Sequence, residues 1–200
     1  YLLIISILFM VTSANCQNTN SPQYFENAEE AVKKATSDLI EVINSKREFN
    51  FGINPNELQK ARIGSMIQNF EINFDLLLKA NAESSISKMA GKPKNQLFPL
   101  SLDERIIAVV ELREEEKGWL IGGFSSSGIT NELNAIIQST GGLDKSRVMK
   151  YEVPNLNTNI YEVQMDNKTL LFSNYNDIFS MKEPVTSERL FSVLKEDALK

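Results

Sequence analysis

Leu97-Phe-Pro-Leu-Ser-Leu-Asp-Glu-Arg-Ile-Ile-Ala-Val-Val-Glu-Leu-Arg-Glu-Glu-Glu-Lys-Gly-Trp-Leu-Ile-Gly-Gly-Phe124 is the stretch that decides the fold. Its three apolar runs are divided by Asp103-Glu104 and by Glu114-Glu-Glu-Lys-Gly118, charged sets suited to tight turns. In the middle run Ile107, Val109 and Glu111 alternate against Ile106, Ala108, Val110 and Leu112, which is the two-residue period of a strand. Three such runs joined by short turns form an antiparallel meander.

Downstream, Ile129, Leu133, Ile136 and Ile137 recur at helical spacing, and Gly141-Gly142 closes the helix. Val148 to Val153, Asn159 to Met165 and Thr169 to Ser173 read as strands, the last two joined at Asp166-Asn167-Lys168. A final helix starts at Thr186 or Ser187 and turns Leu190, Phe191, Leu194 and Ala198 inward. Upstream, Asn27 caps a helix, with Glu30 completing a capping box and an apolar face from Ala28 to Ile43. Pro55 opens a short helix with Leu58 and Ala61 inside, and Gly64 is its expected terminator. Phe70, Ile72 and Phe74 alternate as a half-buried strand. Asp75 to Ala80 fits either strand or helix, and 81–95 reads as a loop with little core content.

Runs of strands rather than strict βαβ alternation give an α+β fold. The expected sheet is mainly antiparallel, a central three-strand meander plus C-terminal strands, packed by about four helices. Residues 26–200 form a single domain, or two small lobes meeting near 140–147.

Residues 1–16 read as a secretory signal peptide truncated at its start: eleven largely apolar residues, then Thr12-Ser-Ala-Asn-Cys16. Eleven is too few for the roughly 20 that span a membrane. Small residues permit cleavage after Ala14 or after Cys16; lipidation of Cys16, as in bacterial lipoproteins, is the competing route. Residues 17–25 follow as a polar spacer. The expected location is therefore periplasmic or extracellular, with membrane contact only through the leader or a lipid on Cys16.

Composition excludes more than it assigns. A formal charge of −5 opposes nucleic acid and anionic membrane surfaces. With no histidine, the Ser-His-Asp, Cys-His and HExxH chemistries are ruled out, and the single cysteine leaves no zinc site and no disulfide. No cofactor or metal is expected; the acids at Glu111 and Glu114 to Glu116 lack calcium-loop spacing.

Gly122-Gly-Phe-Ser-Ser-Ser-Gly128 is the most unusual string, set where a strand gives way to a helix. Ser125, Ser126 and Ser127 there can meet an anion or cap the helix. The string is neither a phosphate loop nor a GxSxG elbow. Trp119, the lone tryptophan, anchors either a partner or the core. Taken together, the expectation is an exported non-catalytic domain that binds a protein or other envelope partner, using exposed strand edges. Its rival is a carrier of a small apolar ligand or lipid, lined by Phe70, Phe74, Phe98 and Phe124. A His-independent hydrolase working through serine and lysine, or through two carboxylates, is the third reading.

Overall fold

A computed structural model describes residues 22–46, 52–81, 83–143, 146–166 and 168–199. The leader, Cys16 and most of the spacer lie outside the described residues. The spacer's end does not: Tyr24–Phe25 (β1) adds a short edge strand to the sheet. The Tyr24 hydroxyl donates to Glu115 Oε2 at 2.8 Å, and Lys117 Nζ lies 5.9 Å from its ring centre.

Ala28–Ser45 (α1) begins where Asn27 accepts from the Glu30 backbone N–H. Pro55–Leu58 (α2) stops six residues before Gly64, so Gly64 is not its terminator. That glycine instead separates Arg62–Ile63 (β2) from Ile67–Glu71 (β3), and its N–H donates to the Pro99 carbonyl at 2.8 Å. Phe74–Lys79 (α3) resolves the ambiguous stretch as a helix, capped by Asn73. In the 81–95 segment, a 3-10 turn at Ile86–Met89 buries both of its end residues, contrary to the low core content expected there.

The meander follows as Asn95–Leu102 (β4), Arg105–Glu115 (β5) and Gly118–Phe124 (β6). Asp103 and Glu104 both hold positive φ, +49° and +63°, as a type I′ hairpin turn demands. Gly118 is required where it stands: at φ +120°, a Cβ there would lie 2.4 Å from the Phe25 carbonyl oxygen. Ser127–Thr140 (α4) ends at left-handed Gly141. Arg147–Val153 (β7), Thr158–Met165 (β8), Lys168–Ser173 (β9) and Ser187–Ala198 (α5) complete the chain.

Among the described residues nine strands join one sheet in the order β1-β6-β5-β4-β3-β7-β8-β9, with β2 also on β4. Every pairing is antiparallel except β3 with β7. Strand β3 bridges β4 to β7, so the segments before and after 140–147 share that sheet. The α+β class stands; among the described residues there are five α-helices, the extra one being α3.

One sheet face is covered twice. Helices α1 and α2 bury Ala31, Val32, Ala35 and Leu58 over Phe98, Leu100, Ala108, Val110 and Leu112. On the same face α3 and α5 bury Leu77, Leu190, Phe191 and Leu194 over Met149, Tyr151 and Val153. On the opposite face, α4 sets Leu133 and Ile136 over Ile67, Leu97, Ile106, Val109, Val148 and Tyr161. Each fully buried Leu or Phe side chain contributes about 1.5–3 kcal/mol.

A bulge corrects the alternation expected in β5. Leu100 faces Ala108 but Ser101 faces Ile106, leaving Ile107 as the extra residue. Ile106 thereby joins Val109 under α4, while Ile107 packs with Ala108 and Val110 on the other face. Asn134 of α4 secures the bulge: Ile106 N–H donates to its Oδ1, and its Nδ2 donates to the Ile106 carbonyl, both at 2.8 Å. Asn134→Ala orphans two backbone groups of a buried residue, so urea denaturation should show a loss on the order of 2–3 kcal/mol. An unchanged midpoint would mean water replaces the amide.

Candidate functional site

Beneath the N-terminal half of α4 a polar band crosses the sheet where apolar residues are the rule. Strand pairing puts Asn69 of β3 beside Lys150 of β7, and Lys150 beside Tyr161 of β8. Lys150 is 1% exposed, and its Nζ donates to Glu152 Oε1 at 2.7 Å and to Asn69 Oδ1 at 3.3 Å. Glu152 also accepts from Asn69 Nδ2 at 2.9 Å and from Lys94 Nζ at 2.9 Å. Asn69 Nδ2 reaches Asn95 Oδ1 at 2.7 Å; Asn95 Nδ2 reaches Glu111 Oε2 at 2.9 Å. The Ser125 hydroxyl closes the chain on Glu111 Oε1 at 2.6 Å.

A second carboxylate, Glu132 of α4, accepts from Tyr161 OH at 2.8 Å, from Asn159 Nδ2 at 3.0 Å and from Asn174 Nδ2. Burial pushes the Lys150 ammonium pKa down, against the opposing pull of Glu152. Burial also raises the Glu152 carboxyl, but hydrogen bonds from Lys150, Lys94 and Asn69 outweigh it and hold the group at about 2. Tyr161 is pushed up by burial and by the Glu132 charge. Both carboxylates and the lysine are thus engaged by partners, and the band clamps the one parallel strand pair, the less stable kind of pairing.

The serines and Trp119 do not assemble into one site. Ser125 belongs to the polar band; Ser126 stands at the N-cap of α4 without a side-chain cap bond, and exposed Ser127 is the first helical residue. Trp119 is half-buried, edge-on to Phe98 with ring centres 6.1 Å apart, in the core under α1. The four phenylalanines of the carrier reading also part company. Phe98 and Phe124 pack with α1, whereas Phe70 and Phe74 pack with α3 and α5. The sheet edges are covered only in part: β1 lines β6 at Trp119 and Leu120, and Val185 N–H donates to the Leu171 carbonyl on β9.

At the far end of α4 the sheet and the helix part, leaving an open groove of about 830 Å³. Ile67, Ile106 and Val148 line it from the sheet, Ile137, Gln138 and Gly141 to Leu143 from the helix end. Lys60 and Arg62 border it, as do Asp103 and Glu104 of the hairpin turn. None of those four side chains has an ion pair or hydrogen bond among the described residues. Met66, also in the lining, is 43% exposed. Ser146 lines the groove too, and its buried hydroxyl has no hydrogen-bond partner among the described residues, a state that costs about 1–3 kcal/mol.

Sequence reading missed both places. Lys150 and Glu152 alternate with Met149, Tyr151 and Val153, a pattern that reads as one wet face of a strand. The groove gathers residues from three stretches far apart in sequence, around 60–67, 99–106 and 137–148, and no local signal announces it. Among the described residues no group of three or more acids is placed to hold a metal, and no helix is long and apolar enough to cross a membrane. Compared with protein-family models, curated proteins and solved structures, the chain finds no match.

Proposed function

We propose that the protein is an exported, non-catalytic binding domain that holds a protein partner in the groove at the C-terminal end of α4. The observation that carries this reading is the distribution of polar groups. The residues with the chemistry of catalysis, Lys150 with Glu152, Ser125 with Glu111 and Tyr161 with Glu132, are engaged in pairs, while charges without an ion pair among the described residues gather around an open groove. Exposed side chains of both signs beside an apolar floor suit recognition, where charge sets register and apolar contact adds affinity. The separate phenylalanine clusters weigh against the carrier reading.

Photo-cross-linking tests the proposal. Benzoylphenylalanine replaces Met66 in the groove or, as a control, Glu116 in the β5–β6 turn of the full chain. The expected result in an envelope extract is one discrete protein adduct from Met66, none from Glu116, and loss of the adduct when Gln138→Trp fills the groove. Equal labelling from both positions, or none from Met66, contradicts the reading.

A further inference from the structure

The groove's rim carries two bases and two acids, and the end of α4 adds negative potential to the acids. The last turn of α4 has no basic residue to offset the negative end of its dipole, and the helix terminates at Gly141 in the groove wall. Asp103 and Glu104 also border the groove, two unpartnered acids at positive φ. Two-residue turns of this type favour Asn-Gly or Asp-Gly, so Asp103 suits the first position while Glu104 stands, strained, where glycine is preferred. Glu104 in that turn therefore costs stability, and neither acid forms an ion pair or side-chain hydrogen bond among the described residues. Lys60 and Arg62 border the same groove, with Arg62 opposite Ser101 on the strand that leads into the turn, yet neither forms an ion pair with the acids; Ile67, Ile106 and Val148 form an apolar floor.

Resting on the binding function above, we propose that the groove's occupant is an extended peptide segment of the partner that carries a basic side chain. That side chain lies between the Asp103-Glu104 turn and the C-terminal end of α4, and an adjacent apolar residue covers the floor. The charge on the acids gives the contact a strong salt dependence. The unpartnered Ser146 hydroxyl gains a hydrogen bond if the segment's backbone reaches it.

The test is selection of random peptides displayed on phage against the full chain, followed by calorimetry with synthetic copies of those enriched. The expected peptides carry Lys or Arg next to an apolar residue. Gln138→Trp abolishes their binding, and D103N/E104G weakens it by about tenfold or more. The same double substitution raises the thermal midpoint by about 2–4 °C, because it installs the preferred turn. Binding that survives D103N/E104G, or enriched peptides without a basic residue, overturns the assigned chemistry but leaves the groove function standing if Gln138→Trp still blocks. Enrichment that ignores Gln138→Trp overturns the groove itself. If no peptide is enriched while Met66 still cross-links a partner, the peptide class is wrong and the binding function is kept.

Discussion

Lys150→Ala is expected to cost about 2–4 kcal/mol, read as a drop in the urea midpoint at unchanged slope. The ammonium is nearly inaccessible; its removal leaves Asn69 Oδ1 without a donor and Glu152 with Asn69 Nδ2 and Lys94 alone. Lys94 still offsets the Glu152 charge, so the loss comes from the volume that the buried lysine stem vacates and from the donor withdrawn from Asn69. Lys150→Met with Glu152→Leu should therefore recover much of the deficit, since an apolar pair of similar volume avoids desolvation altogether. A loss below about 1 kcal/mol for the single variant would mean that water reaches the site.

The same network sets an acid limit. The Glu152 carboxyl sits at about 2 in the fold against the ordinary 4.5. A lowered folded-state value stabilises fully above the unfolded value, and the contribution is lost as pH falls from about 4.5 towards 2. Thermal midpoints should decline across that window in the wild type. Glu152→Gln should start lower and decline less; parallel curves would remove Glu152 as the cause.

Glu132→Ala is the other large effect, at about 3–4 kcal/mol. Its carboxylate is the acceptor for the fully buried Tyr161 hydroxyl and for two side-chain amides, tying α4 to β8 and to the residue after β9. Truncation leaves those three donors to compete for water under a helix. Glu132→Gln keeps the acceptor oxygen but not the charge, and should lose about half as much. Urea titration with hydrogen exchange on α4 separates the outcomes: early opening of the helix is expected, while global loss with α4 fully protected would contradict its anchoring role.

Periodic and punctuated features were legible in the sequence. The meander from Asn95 to Phe124 was, because alternation and charged turns are local properties. So were the Asn27 and Thr186 caps, whose hydrogen bonds form within three residues. The bulge at Ile107 was not, since the extra residue is defined only against β4, and its partner Asn134 lies on a helix 28 positions away. The parallel β3–β7 pairing was hidden for the same reason. Singling out Ser125 placed one residue of the polar band, but for a helix-start role rather than for its bond to Glu111. Lys150 looked like a solvated strand residue because the helix that buries it comes from elsewhere in the chain.

The binding reading is tested most directly by hydrogen–deuterium exchange of the full chain with the tightest display-selected peptide. Protection is predicted at residues 60–66, 101–104 and 137–143, the three segments that wall the groove. Protection confined to the sheet edges at 118–124 or 168–173, with the groove unaffected, would contradict it and return recognition to strand addition.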